Sequence, residues 1–123
     1  MRRDGVLQPM NENNQCLIDK KCVPCEGGVP VLSDQQEDGF TPLVPQWSLS
    51  REGVHKLNRT LQFTDFVEAM AFVNKVAEVA EEEGHHPNIA IAWNRLDLEM
   101  YTHAIGGLSE NDFIVAAKID VIK

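Results

Sequence analysis

The sequence predicts an α+β domain with the element order α-β-β-α-β-β-α, in which helices cover one face of a four-stranded antiparallel sheet. Three observations support this fold class. A long central stretch has apolar residues spaced three and four apart, as in an amphipathic helix. Pairs of short stretches with alternating polarity lie before and after it, and turn residues join the members of each pair. The 123 residues suffice for one compact domain and its core.

The first predicted elements are a short helix and two strands. Ser33 can cap a helix that ends near Gly39, and two prolines that follow should keep it brief. The strands Trp47–Leu49 and Val54–Phe63 are joined by a four-residue turn with glycine at its end. Arg59 interrupts the apolar side of the second strand, so the pattern is weaker there.

The central helix is the clearest element. Thr64 or Asp65 can cap its start, and Asp65 and Glu68 have the spacing of a capping box. Its apolar stripe contains Phe66, Ala69, Met70, Phe72, Val73, Val76, Ala77 and Ala80. The last turn carries three consecutive glutamates, which the helix dipole disfavours. We interpret residues 82–83 as a solvated acidic end.

A second pair of strands follows the central helix. Asn88–Trp93 and Leu96–His103 alternate in polarity, and a tight turn at residues 94–95 can join them. Because His103 ends its strand, we expect it at the rim of the sheet.

A closing helix completes the domain. Ser109 can cap it, and Asp112 occupies the third helical position, where a carboxylate favours the helix dipole and can bond back to the cap. Its predicted apolar side contains Phe113, Ala116, Ala117, Val121 and Ile122. Capping alone would therefore explain Asp112, although capping and a role in a site can coexist.

The residues before the domain differ in composition. We expect residues 1–28 to be a flexible leader and residues 29–123 to be the folded domain. All three cysteines lie in the leader, and Cys22 and Cys25 have CxxC spacing. With one such pair the zinc candidate is weak, because a structural zinc site needs four ligands and Cys16 would supply only a third. We favour reduced thiols on a flexible arm, with no metal and no cofactor.

The charge and the hydropathy argue against nucleic-acid and membrane binding. Nineteen acidic and eleven basic residues give a formal net charge of −8, and the basic residues are scattered. Neutralising phosphates requires a clustered basic surface. No apolar run approaches the roughly 18 residues of a membrane span, and no apolar signal core follows the N-terminus. We therefore expect a cytoplasmic protein.

Three of the four histidines cluster in and after the link that follows the central helix. His85 and His86 lie between Gly84, a helix stop, and Pro87, so we expect an irregular link that can turn both rings into one cleft. His103 follows further along the chain. Imidazole titrates near neutrality, so such a cluster indicates proton transfer or metal binding. Adjacent histidines lack the i, i+4 spacing of a zinc-binding helix.

These residues resemble the signature of the pterin-4a-carbinolamine dehydratase family. The matching positions are Glu81, His85, His86, Pro87, Trp93, His103 and Asp112. Their intervals agree with those of the family, and the resemblance covers roughly residues 29 to 122. Trp47 matches the tryptophan that opens the family's first strand, where it is either a core residue or a wall of the ligand site. Gln46 stands where the family often has glycine.

The resemblance implies a hydro-lyase that removes water from a 4a-hydroxytetrahydropterin and gives quinonoid dihydropterin in tetrahydrobiopterin recycling. This elimination needs no metal and no redox cofactor. His85 and His103 are expected to be the acid and the base, in either order, and His86 to hold or polarise the pterin. The residues expected to orient the imidazoles and to fix the shape of the link are Glu81, Asp112 and Pro87.

Two other classes of function stay open. Some relatives of the family bind proteins, as transcriptional cofactors or in the assembly of a carboxylating enzyme, so a non-catalytic binding module is the main alternative. A metalloprotein would join the cysteines to the histidines and would lose activity to a chelator. The resemblance also implies a homodimer or homotetramer, in agreement with the open edges of a small sheet, and a link to aromatic amino acid hydroxylases.

Overall fold

A four-stranded antiparallel sheet and the helices on one of its faces make up the domain, as the sequence predicts. The computed structural model describes residues 17–22 and 30–122. Helices α1, α2 and α3 span Asp34–Phe40, Phe66–Glu83 and Glu110–Asp120, and short 3-10 helices span Thr41–Leu43 and His103–Ile105. Strands β1 to β4 span Ser48–Ser50, Lys56–Gln62, Asn88–Ala92 and Arg95–Met100. They lie in the order β1-β2-β4-β3, and every neighbouring pair is antiparallel.

The two faces of the sheet differ in polarity. On one face, Leu57 of β2 pairs with Met100 of β4, and both are fully buried against α2 and α3. On the other face, Asn58 pairs with Glu99 and Thr60 with Asp97. Alternation along the strands therefore places the apolar side chains under the helices and leaves the polar side chains facing outward.

Arg59 is a charged residue on the otherwise apolar face, and the carboxylate of Asp120 balances its charge. Its Nη1 atom lies 2.6 Å from Oδ1 of Asp120 at the end of α3, and the indole N–H of Trp47 donates to the same oxygen at 2.8 Å. Burial raises the pKa of the Asp120 carboxyl above its ordinary value, although the Trp47 hydrogen bond and the Arg59 charge act in the opposite direction. A paired arginine can thus lie beside the core.

The turn between β3 and β4 differs from the prediction by one residue. Strand β3 ends at Ala92 and β4 begins at Arg95, so Trp93 lies in the turn. Its φ is 54°, and 65% of its surface is exposed. Asn94 fixes this register from a distance: its side chain donates to the carbonyl of Phe63, and the Phe63 N–H donates to the Asn94 carbonyl. The prediction of a turn at residues 94–95 was therefore wrong by one position.

The helix starts agree with the predicted caps. The Asp65 carboxylate accepts the N–H of Glu68 at the start of α2, and Ser109 with Asp112 forms a capping box at the start of α3. In α1, Ser33 forms its capping box with Gln36. Helix α3 ends at Asp120, and Val121 is exposed, so the predicted apolar side was wrong at that position.

Part of the segment predicted as a leader contacts the domain. Residues 17–19 are helical, and Leu17 is 2% exposed within the core. Cys22 is partly buried. Cys16 and Cys25 lie outside the described residues, so the zinc candidate stays a prediction. Across residues 17–22 and 30–122, no helix is long and apolar enough to cross a membrane.

Candidate active site

Three of the four histidines border one surface hollow of about 280 Å³. The link after α2 forms one side of the hollow, and the residues after β4 form the other. The lining residues are Gly84, His85, His86, Tyr101, Thr102, His103 and Ala104. The structure thus brings together the three histidines that the sequence analysis singled out, which are distant along the chain.

The end of α2 aims the two adjacent histidines in different directions. Gly84 adopts the left-handed conformation, with φ 67° and ψ 28°, which glycine reaches without strain. The His85 N–H then donates to the carbonyl of Ala80 at 3.1 Å and closes the helix end. As a result His85 turns inward and is 7% exposed, whereas His86 is exposed. Pro87 after the pair is buried.

Asp112 holds the inward histidine. His85 Nε2 lies 2.7 Å from Oδ1 of Asp112, and both side chains are buried. The other carboxylate oxygen accepts the hydroxyl of Thr102 at 2.8 Å and the backbone N–H of Ser109 at 2.9 Å. Hydrogen bonds from several donors make a buried carboxylate tolerable, and they also fix its orientation. One side chain therefore caps α3 and orients His85.

The other two histidines lie on the open side of the hollow. His86 Nε2 is 2.6 Å from the Glu81 carboxylate, and both side chains are mostly exposed. A pair so open to water contributes little to folding stability. His103 lies in the 3-10 helix just beyond β4, and its ring packs on Tyr101 with the ring centres 4.2 Å apart. His85 is thus held rigidly, whereas His86 and His103 can adjust to a ligand.

Trp47 does not border this hollow. Its side chain is 6% exposed in the core, and its N–H is bonded to Asp120 at the far end of α3. Of its two predicted roles, the structure of this chain supports the core residue and not the wall of a ligand site.

The fourth histidine belongs to a separate cluster near α1. His55 Nδ1 lies 2.8 Å from the fully buried carboxylate of Glu37, which also accepts Arg51 Nε at 2.9 Å. Asp34 lies close by, and the side chains of Asp34, Glu37 and His55 could together bind a metal ion. Arg51 and His55 both bond to Glu37, and these contacts join α1 to the turn between β1 and β2.

A larger depression of about 380 Å³ lies on the outward face of the sheet, but it holds no histidine. Its carboxylates are engaged within the sheet: Asp97 accepts the Thr60 hydroxyl, and Glu99 accepts the Asn88 amide and the Lys56 ammonium. These bonds lower the pKa of both carboxyls. The depression therefore offers no group suited to proton transfer near neutral pH, unlike the histidine-lined hollow.

Residues 30–122 match the family Pterin 4 alpha carbinolamine dehydratase. The chain belongs to this family. A relative from Methylococcus capsulatus is 47% identical over 104 residues, covering 85% of this chain and 90% of the relative. One from Rubrobacter xylanophilus is 45% identical over 104 residues, covering 85% and 95%. Both bear the name pterin-4-alpha-carbinolamine dehydratase as a provisional assignment.

Two solved structures resemble the chain. The crystal structure of a transcriptional coactivator/pterin dehydratase from Brucella melitensis has a TM-score of 0.69 and 27% identity, covering 74% of this chain and 96% of that one. A pterin dehydratase-like protein identified as a RuBisCO assembly factor in the alpha-carboxysome has a TM-score of 0.51 and 24% identity, covering 61% and 86%. This second likeness concerns the fold alone.

Three residues in or beside the hollow have contacts that were not predicted from the sequence. Thr102 bonds the carboxylate that holds His85, and Tyr101 supports the His103 ring. Glu83 was expected in solvent, but its side chain is 1% exposed and accepts the Lys118 ammonium at 2.7 Å and the Cys22 N–H at 2.9 Å. The prediction of a solvated acidic end was wrong for Glu83, because its partners come from distant parts of the chain.

Glu83 should make the stability of the domain depend on pH. Burial raises the pKa of its carboxyl, but the bonds from Lys118 and Cys22 and the charges of Lys118 and Lys21 outweigh burial, so the pKa lies below the ordinary value of 4.5. The folded state therefore binds this proton less readily than the unfolded state, and the stabilisation is present above 4.5 and lost as pH falls through the lowered pKa.

The variant Glu83→Gln tests this dependence. We expect the difference in free energy of unfolding between the wild type and Glu83→Gln to be largest near neutral pH and to shrink on acidification. Urea unfolding followed by circular dichroism across an acidic pH series measures it. Glu82→Gln is the matched control, since that side chain is 69% exposed and its removal should change the stability little. Equal slopes for the two variants would contradict the role of Glu83.

Proposed function

We propose that the chain is a hydro-lyase that dehydrates 4a-hydroxytetrahydropterin, such as 4a-hydroxytetrahydrobiopterin, to quinonoid dihydropterin. One observation carries the proposal: the three histidines of the family signature border a single hollow, with a buried carboxylate behind one of them. The hollow of about 280 Å³ lies near the lower end of the size range of small-molecule sites. Family membership supplies the substrate class.

The chemistry requires two proton transfers. The bond between C4a and its hydroxyl oxygen breaks, the hydroxyl leaves as water after receiving a proton, and a ring nitrogen loses a proton as the quinonoid double bonds form. The reaction is balanced without an oxidant or a metal. Groups that exchange protons near neutral pH suit both steps, and each typically contributes about 10²–10⁴-fold in rate.

We assign the two transfers to His85 and His103, in either order. His85 is suited because Asp112 fixes the orientation of its ring, as a carboxylate does for a histidine that shuttles a proton. His103 lies across the hollow on an exposed turn, where a ligand can contact it. His86, paired with Glu81, would hold or polarise the pterin, and Pro87 would keep the link in shape.

A direct assay tests the proposed function. Purified protein mixed with freshly generated carbinolamine should accelerate the absorbance change of dehydration well above the spontaneous rate. The same rate is expected after prolonged treatment with EDTA, since the proposed chemistry uses histidines alone. A rate equal to that of the protein-free control would refute the dehydratase, and activity lost to the chelator and restored by zinc would favour a metalloprotein.

The proposal includes a cellular setting. Dehydration of the carbinolamine would serve tetrahydrobiopterin recycling beside an aromatic amino acid hydroxylase, in the cytoplasm. We also propose a homodimer or homotetramer, because β1 and β3 are edge strands of the described sheet and Ile89 on β3 is 38% exposed. Sedimentation equilibrium measures the number of subunits directly.

A protein-binding module is the second candidate. It is favoured by the likeness to the Brucella melitensis protein, which is named a transcriptional coactivator/pterin dehydratase. Binding by the scaffold would not need the imidazole of His103, which lies at the surface of the hollow. A partner that binds wild type and His103→Ala equally would indicate a function separate from dehydration.

A further inference from the structure

A short N-terminal segment is anchored beside the candidate active site. Residues 17–22, here called the N-terminal strap, precede the domain in sequence but lie against it. Leu17 is 2% exposed and belongs to the hydrophobic core, and Ile18 packs against that core. The burial of Leu17 indicates that the strap occupies a defined position on the domain.

The strap binds the end of α2. The backbone N–H of Cys22 donates to Glu83 Oε1 at 2.9 Å. Lys21 Nζ lies 3.8 Å from the other oxygen of Glu83 and 3.7 Å from the carboxylate of Glu82. These positive groups lie at the C-terminal end of α2, where the helix dipole and three glutamates would otherwise concentrate negative charge.

The strap also binds the start of α3. Lys20 forms an ion pair with Glu110, the first residue of that helix. The Cys22 thiol contacts the carbonyl oxygen of Asn111 at 3.7 Å. Cys22 therefore contacts both helix ends, through its backbone on one side and through its side chain on the other.

These contacts lie next to the residues of the site. Glu83 is two residues before His85, and Asn111 directly precedes Asp112. The bond between His85 and Asp112 joins residues 27 apart in sequence, so its 2.7 Å length depends on how the end of α2 lies against the start of α3. Within the described chain, Glu83 joins the strap to Lys118 of α3 as well.

We propose that the N-terminal strap is a positioning element of the site, which holds the end of α2 against the start of α3 and so keeps His85 aligned with Asp112. Cys22 and Glu83 are its main positioning residues. The strap does not touch the reacting atoms, and it acts through the orientation of His85. Its catalytic consequence rests on the proposed dehydratase function, but its structural consequence does not.

Two substitutions at Cys22 test the proposal in the full-length chain. Cys22→Pro removes the backbone N–H that Glu83 accepts, because proline has no such donor. Cys22→Ala keeps that N–H and removes only the thiol, a weak donor, and is the matched control. The readout is the His85 Nε2–H signal in ¹H–¹⁵N spectra recorded without pterin, since a proton held by a carboxylate exchanges slowly with water.

We expect Cys22→Pro to broaden or lose the His85 Nε2–H signal and Cys22→Ala to keep it, while circular dichroism shows both variants folded. Loss of the His85 signal in both variants would also support the positioning role of the strap. It would indicate that the contact between the Cys22 thiol and Asn111 contributes to that role as well. A signal unchanged in Cys22→Pro would overturn the proposal. Should Cys22→Pro fail to fold, Leu17→Ala, which removes the core anchor of the strap, is expected to weaken the same signal, and an unchanged signal there would overturn the proposal.

The rate adds an independent readout. In Cys22→Pro we expect kcat to fall by up to about 10²-fold, as misplacement of a catalytic group does, with a smaller change in KM for the pterin because His103, on the other side of the hollow, is not displaced. If the wild type does not dehydrate pterins, the proposed function fails, whereas the effect on the His85 signal can still be measured. An unchanged kcat with an altered signal would overturn the catalytic part of the proposal.

Discussion

His103→Ala is expected to lower kcat for carbinolamine dehydration by about 10²–10⁴-fold, the usual contribution of one acid or base. The free energy of unfolding should change by less than about 0.5 kcal/mol, because the side chain is exposed and packs only on Tyr101 among its described ring contacts. Stopped-flow absorbance measures the rate, and urea unfolding measures the stability. A large rate effect without a stability effect would identify a chemical role.

His55→Ala is the matched control for this experiment, since it removes the histidine that lies outside the hollow. We expect the opposite result: kcat unchanged, and stability lowered by about 1–3 kcal/mol because the buried Glu37 loses a partner. His85→Ala should slow dehydration as strongly as His103→Ala. Near-normal rates in both His85→Ala and His103→Ala would refute the acid/base assignment.

Asp112→Ala is expected to cost about 3–5 kcal/mol of folding stability, as the loss of one member of a buried charged network does. The substitution removes the capping partner of Ser109 and the carboxylate that the Thr102 hydroxyl and His85 contact in the buried network. Urea unfolding followed by circular dichroism measures this loss. A cost below about 1 kcal/mol would show that the network relaxes or admits water.

Asp112→Asn separates the structural role of this residue from its chemical role. The amide oxygen can still accept from Thr102 and Ser109, so we expect most of the stability to remain. The amide nitrogen would face His85 Nε2 and donate to it, which imposes the other tautomer and removes the negative charge. We therefore expect kcat to fall by about 10²-fold or more. A folded Asn variant with wild-type kcat would exclude Asp112 as the partner of a proton-transferring histidine.

Local patterns in the sequence were sufficient for the fold class and for most element ends. Asp65 and Ser109 cap their helices through residues three positions away, and Gly84 ends α2 through its own backbone conformation. Such contacts depend on spacing along the chain, so they can be read from a single sequence. The convergence of His85 and His103 was expected from the resemblance to the dehydratase family rather than from local spacing. His103 lies in the 3-10 helix beyond β4, so the prediction that it ends the strand was wrong.

Contacts between distant segments could not be read from the sequence. The turn at Trp93 is set by Asn94 bonding to Phe63 on another strand, and the burial of Glu83 is set by Lys118 and Cys22. Arg59 breaks the apolar pattern of its strand, and the sequence pattern does not show that Asp120 pairs with it. In each case a polar side chain finds a partner more than 30 residues away, and no local rule specifies which partner that is.

The double duty of Asp112 affects how related sequences should be compared. Because its carboxylate starts α3 as well as holding His85, selection on folding alone would retain it after catalysis had been lost. An aspartate at this position in a homologue is therefore weak evidence that the homologue is an enzyme. The imidazole of His103 supports little of the surrounding structure, so its presence or loss is the better marker of retained chemistry among diverged copies.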